Sequence, residues 1–222
     1  MKTLRLLSGG ATQGLVQKIR PAFEAETGCK IEGAFGAVGA MKARLLAGEP
    51  ADLMILSRTL IDELARDGHV VAASVADVAT VATAVAVRAG DPLPAVGDKA
   101  ALRAALLAAD AIHFPDPAQA TAGIHFAKVL KGLGIWDQVA GRLKTAPNGA
   151  TAMRALAASQ AQRPIGCTQE SEIRATPGIV LVAPLPPGCD LVTVYSAAVT
   201  GRAQAAAEAA DFIACALLST GV

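Results

Sequence analysis

LRLLSGGATQGLVQKIRPAFEAETG, residues Leu4 to Gly28, decides how the rest of the chain is read. Leu4 to Leu7 is a short apolar run of the kind a buried strand carries. Ser8, Gly9, Gly10 and Thr12 then make a turn of small residues. From Gly14 the apolar positions Leu15, Ile19 and Phe23 recur at helical spacing until Thr27-Gly28 ends the pattern. The stretch reads as a strand, a turn and a helix, in which Pro21 predicts a kink or a late helix start.

The same unit repeats downstream. Lys30 to Phe35 reads as a second strand, Gly36-Ala37-Val38-Gly39 as a second small-residue turn, and Met41, Leu45 and Leu46 as the stripe of a second helix. GEPAD, Gly48 to Asp52, is a Pro-marked loop into the strand Leu53 to Leu56, and Leu60 to Asp67 is a short helix closed by Gly68. Val78 to Val87 predicts a strand longer than a compact unit needs, and Leu191 to Val199 predicts its partner. Between them the pattern gives helices at Leu102 to Ala109, Thr121 to Leu133, Trp136 to Leu143 and Thr151 to Gln160. Strands are read at Ala111 to Phe114, Ile165 to Thr168 and Ile179 to Val182. Arg202 to Leu218, with Ala206, Ala210, Ile213 and Leu217 on one face, is expected to dock on the first lobe as a terminal helix.

Alternating strands and helices imply an α/β protein with mostly parallel sheets and helices on both faces. The expected division is two lobes, 1–82 with 196–222 and 83–195, joined by a two-strand hinge. At 222 residues and 53% hydrophobic, the chain can bury a core in each lobe. A net charge of +1 and 3% aromatic residues supply neither the field nor the stacking platforms of a nucleic-acid binder, so no nucleic-acid partner is expected. No apolar run reaches the roughly 18 residues of a membrane span. MKT reads as a natural start, and strand-like sequence from Thr3 leaves no room for a leader. The expected location is cytoplasmic as written, or periplasmic if a leader has been removed.

Cys29, Cys167, Cys189 and Cys215 lack CxxC spacing, and His69, His113 and His125 lack metal-ligand spacing. Buried thiols and structural histidines are expected, with no metal and no cofactor. Four small-residue stretches each precede a helix: Ser8 to Thr12, Gly36 to Gly39, Pro117 to Gly123 and Asn148 to Thr151. Capping alone explains any one of them. Four in one two-lobe layout predict an anion held at the carboxyl edges of the strands by helix N-termini.

FEAETGCKIEGAFG (Phe23 to Gly36), LLAGEPADLMILS (Leu45 to Ser57), DPAQATAGIHFAKVLKGLGIWDQV (Asp116 to Val139) and RPIGCTQESEI (Arg163 to Ile173) carry a resemblance over nearly the whole chain. The chain resembles the type II periplasmic solute-binding proteins, and within them the molybdate-binding component of ABC transporters. The resemblance implies an anion ligand in an interlobe cleft and, if the chain is exported, an ABC transporter permease as partner. A monomer is expected. The molybdate site of that family looks like two serine-type hydroxyls, backbone amides and a tyrosine. Those positions here look like Gly10, the Val38-Gly39 pair, Ala122, Thr151 and Gln169, so both serines and the tyrosine are missing.

The expected ligand is therefore a small anion, a molybdate-like oxyanion or a di- or tricarboxylate. Ser8, Gly9, Gly10, Thr12, Ala37, Val38 and Gly39 would hold it from one lobe, with Arg58 as the cation, and Thr121, Ala122, Thr151 and Gln169 from the other. The alternative is a cytoplasmic isomerase of a small tricarboxylate, as in the aconitate isomerases that the same resemblance takes in. That reading needs a general base within reach of the ligand, with Glu170 as candidate and Glu172 and His125 nearby in sequence. A third reading is a sensor domain, for which no helix-turn-helix precedes Thr3.

Overall fold

The structure is a computed structural model that describes residues 2–220; Met1, read above as the start, lies outside them. β1 (Thr3–Gly9) passes through a 3-10 turn (Gly10–Thr12) into α1 (Gln13–Thr27). β2 (Lys30–Gly36) is followed by α2 (Val38–Leu46), and β3 (Leu53–Ser57) by α3 (Arg58–Arg66). β1 lies between β2 and β3, parallel to both, so Ser8 stands opposite Phe35 on one side and Ile55 on the other. Covered on both faces by helices, β3 reads as a continuous apolar run, and Leu53 to Leu56 are all buried.

β4 (Ala76–Arg88) follows, then α4 (Lys99–Ala108), β5 (Ala111–Pro115), α5 (Thr121–Gly132), α6 (Trp136–Val139) and β6 (Leu143–Ala146). Next come α7 (Gly149–Ala157), β7 (Pro164–Gln169), α8 (Glu170–Arg174) and β8 (Ile179–Pro184). β5 is flanked by β6 and β7 in parallel, while β4 runs antiparallel to β7 and β8. Side chains alternate between faces with period two. Val85, Val87, Ile112, Phe114, Ile165 and Cys167 join Phe126 and Leu130 of α5 in one core, whereas Ala84 and Ala86 join Met153 and Leu156 of α7 in another.

β9 (Val192–Val199) then pairs antiparallel with β3, Tyr195 opposite Ser57, and α9 (Ala206–Thr220) follows. Phe212 of α9 meets Phe23 of α1 edge to face with ring centres 5.6 Å apart. The chain thus folds as two compact units, one from residues up to Thr80 and from Thr193 onward, the other from Val81 to Val192. It crosses between them twice, once within β4 and once at the start of β9.

Several local readings are corrected. α1 runs unbroken through Pro21, which is exposed, and its buried face is Val16, Ile19 and Phe23 in place of Leu15. α2 buries Val38 and Met41, while Leu46 is exposed. The Trp136 to Leu143 helix is one helical turn, a 3-10 turn (Ala140–Arg142) and then β6, because Leu143 begins a short edge strand. α7 starts at Gly149 and ends at Ala157. On α9 the buried residues are Ala209, Phe212, Ile213 and Ala216, so the inward face is shifted by one residue from the alanine stripe and is set by the larger Phe212.

Candidate functional site

In the first unit, the turn after β1 is held from inside. The Ser8 and Thr12 side chains are buried, their oxygens 2.6 Å apart, and both hydroxyls reach the Gly9 carbonyl at 3.2 and 3.1 Å. Two hydroxyl protons serve these three contacts, so the hydroxyl donors are engaged within the turn itself. Gly10 is half-buried at the turn's apex. A Cβ on Gly9 would come within 3.0 Å of Val38 Cγ1 and 3.1 Å of Tyr195 Cε1, so the start of α2 and the chain's one tyrosine pack around this glycine.

Ala37 is the N-cap of α2 in extended conformation, and no side chain caps it. Val38 is buried and Gly39 half-buried. Arg58 opens α3, again without a side-chain cap. Its guanidinium donates to Asp62 at 2.8 Å and to Asp77 at 3.0 Å. Asp77 also accepts from the Ser196 hydroxyl at 2.6 Å, and that bond together with Arg58 holds its carboxyl below the usual range. The expected cation is therefore already faced by two carboxylates.

In the second unit, helix starts flank the carboxyl ends of β5 and β7 on opposite faces. α5 begins at Thr121 behind Ala120, whose side chain offers no cap. Ala122 and Gly123 are buried, and a Cβ on Gly123 would lie 2.3 Å from the carbonyls of Pro115 and Asp116. The helix start is pressed against the end of β5. α7 is different, because the chain closes it. Asn148 accepts from the Thr151 amide at 2.9 Å. Buried Glu172 accepts from the Thr168 hydroxyl at 2.7 Å and from the amides of Ala150 and Gln169. Burial pushes the Glu172 carboxyl up, and these three bonds oppose the rise. The Thr151 hydroxyl accepts from Arg154 at 2.9 Å.

Gln169 is buried at the end of β7, directly opposite Thr83 of β4. The Thr83 hydroxyl is buried and has no hydrogen-bond partner in the structure. Glu170 is ion-paired with Arg174 one turn on, Nε at 2.8 Å and Nη2 at 2.6 Å from Oε1. His125 bonds the Cys189 carbonyl at 2.8 Å and ties α5 to the loop before β9. His113 is buried with neither ring nitrogen partnered among the described residues, and burial, with Lys144 opposite, lowers its pKa.

The four cysteines are free thiols, and among the described residues no three His, Cys, Asp or Glu side chains gather as a metal site. A concavity of about 500 Å³ lined by Arg5, Asp52, His69 and Arg202 lies at the amino ends of β1 and β3, away from the carboxyl edge. Asp52 closes it structurally, accepting from the amides of Arg5, Gln204 and Ala205 at 2.7–3.0 Å. Glu49 of the GEPAD loop pairs with Arg44.

Tyr195, Thr83 and the capping role of Glu172 escape a reading by turns. The available signals are the single tyrosine of the chain and a hydroxyl residue at position 83 in a valine and alanine run. The candidate set thus comprises Gly9, Gly10, Ala37 to Gly39, Arg58 and Tyr195 in one unit, and Thr83, Thr121, Ala122, Thr151 and Gln169 in the other.

A family model described as bacterial extracellular solute-binding protein matches residues 4–221. An aconitate isomerase from Pseudomonas sp. is 30% identical over 91% of this chain and 77% of its own length. The molybdate-binding protein ModA of Escherichia coli K12 is 25% identical over 88% of this chain and 76% of its own. The periplasmic molybdate-binding protein of Azotobacter vinelandii superposes with a TM-score of 0.78 at 18% identity, covering 96% of this chain and 92% of that one. No helix among the described residues is long and apolar enough to cross a membrane. The match over nearly the whole length makes this chain a member of the bacterial extracellular solute-binding protein family.

Proposed function

We propose that this protein captures a small anion, a tetrahedral oxyanion or a di- or tricarboxylate, at the uncapped helix starts of its carboxyl edges. One observation carries the reading. α4 and α7 are capped by Asp98 and Asn148, whereas α2 and α5 start behind Ala37 and Ala120. Alanine is among the poorest N-caps, about 0.5–2 kcal/mol worse than Ser, Thr, Asp or Asn. At these two positions the chain forgoes that stabilisation and leaves first-turn amides, with the positive end of the macrodipole, for an anion from outside. Backbone donors accept a ligand without the serines and tyrosine that this chain lacks at the corresponding positions. The family description, and neighbours named as ABC transporter components, support export and delivery to an ABC transporter permease; the protein would do so as a monomer.

The test is a thermal-shift panel of molybdate, tungstate, sulfate, phosphate, cis- and trans-aconitate, citrate and succinate. A ligand at 100 times its Kd adds about 2.7 kcal/mol, which for a chain of this size raises Tm by roughly 5–10 °C. A shift with one class of anion is expected, and no shift with any of them overturns the reading.

A second reading, proton transfer on a tricarboxylate, is favoured by the 30% identity to an aconitate isomerase. In that case the protein interconverts cis- and trans-aconitate by NMR, and Glu170→Gln and Glu172→Gln tell which carboxyl acts. Full turnover by either variant removes that residue as the base.

A further inference from the structure

We infer that Thr83 is a ligand-contacting residue of the second unit and supplies the side-chain hydroxyl that the family-equivalent positions of this chain lack; the inference rests on the anion reading above. Four observations lead to it. Thr83 is 1% exposed, and its Oγ1 has no hydrogen-bond partner among the described residues. Buried hydroxyls are nearly always partnered, so an orphan asks for a partner from outside the chain.

The orphan also points in a defined direction. Thr83 and Gln169 stand directly opposite in the antiparallel β4–β7 ladder. Opposite residues put their side chains on the same face, with Cβ atoms about 5 Å apart. Two residues along each strand, Val85 and Cys167 mark that face as the one covered by α5. Thr83 therefore lies on the side where the uncapped α5 begins, and on the opposite side from α7, whose first turn already holds Asn148 and Glu172.

Nothing within its own unit competes for this hydroxyl through the backbone. The Thr83 amide donates to Leu191 at 2.8 Å and its carbonyl accepts from Leu185 at 3.0 Å. Both main-chain groups are engaged, and the side chain alone is left over. A threonine hydroxyl both donates and accepts, so on the face that α5 covers it suits one oxygen of an oxyanion or a carboxylate. Valine has nearly the same shape and would pack here at least as well, which makes a structural reason for the hydroxyl hard to find.

The experiment compares the parent with Thr83→Val and Thr83→Ser. Each free protein is melted, and each is titrated by calorimetry with molybdate, sulfate, citrate and trans-aconitate. Thr83→Val is expected to keep or raise the Tm of the free protein while weakening the anion that the parent binds by about tenfold or more, the range for losing a hydrogen bond to a charged group. Thr83→Ser should stay within about threefold of the parent, since it keeps the donor. Binding by Thr83→Val within twofold of the parent overturns the assignment and leaves the anion reading standing. Failure of the parent to bind any anion of the full thermal-shift panel, each titrated in the same way, overturns the anion reading and this inference with it.

Discussion

At the residue scale, two glycines record how closely the second unit is packed around its helix starts. A Cβ on Gly123 would meet backbone carbonyls of Pro115 and Asp116 at 2.3 Å, and one on Gly149 would meet the Glu172 carboxylate at 1.9 Å and the Thr168 hydroxyl at 2.1 Å. Carbonyls in a strand end cannot turn away, whereas side chains can. Gly123→Ala is therefore expected to be the more costly of the two, each losing about 1–3 kcal/mol as overpacking does. Urea denaturation of both variants reads the difference. Equal stability of Gly123→Ala and the parent would mean that α5 is not pressed against β5 as described. Gly149→Ala should in addition displace Glu172 from the start of α7, since the added carbon takes the carboxylate's place.

At the scale of elements, α9 completes the first unit by one aromatic contact and a row of alanines. Phe212 is fully buried and meets Phe23 edge to face. Phe212→Ala is expected to cost about 3–5 kcal/mol, as burial-depleting aromatic truncations do, and to lower Tm by roughly 6–20 °C. A drop of less than 2 °C would show that α9 contributes little to the unit. This helix also illustrates what the sequence revealed and what it concealed. Its existence and its partner follow from helical periodicity, but in an alanine-rich run the spacing of small residues fits more than one face, and the single Phe212 breaks the tie. The strand–turn–helix units were legible because valine, leucine and isoleucine alternate with glycine-rich turns. β6 was hidden because its four residues are half-buried or exposed, with no apolar pattern to mark an edge strand. Likewise the turns drew notice to the helix starts, while Thr83 and Tyr195 sit in the middle of strands and gain their meaning only from register.

For the whole molecule, stability should depend on pH in two steps. The carboxyls of Glu24, Glu49, Asp77 and Glu208 lie below their usual values through the Ile31 amide, Arg44, Ser196 and Lys2 respectively. The unfolded chain takes up those protons first, so their stabilisation is lost as the pH falls below the ordinary carboxyl values near 4. His113 acts earlier. Its folded pKa lies below 6.5, so as the pH falls from 6.5 the unfolded state gains a proton that the folded state refuses, and stability declines. Glu172, with a raised pKa, opposes this by favouring the folded state on acidification. The His113 contribution should therefore be nearly level from pH 8 to 7 and begin to fall below about 6.5. His113→Leu is expected to remove that first limb and leave the second; an unchanged profile between pH 7 and 5 would show that His113 is not the group responsible.

The two crossings of the chain have a consequence for synthesis. The 112 residues from Val81 to Val192 leave the ribosome as one uninterrupted stretch and can fold as soon as they emerge. The first unit cannot, since β1, β2 and β3 are made early but β9 and α9, which complete it, come last. At about 5–20 residues per second, the roughly 140 residues between Leu56 and its partner Ser196 leave the apolar edge of β3, Leu53 to Leu56, without its antiparallel neighbour for roughly 7–28 s. During that interval the nascent protein displays an unpaired hydrophobic strand. The lobe whose sequence announces itself first is thus the one finished last, and the one a chaperone has most reason to hold.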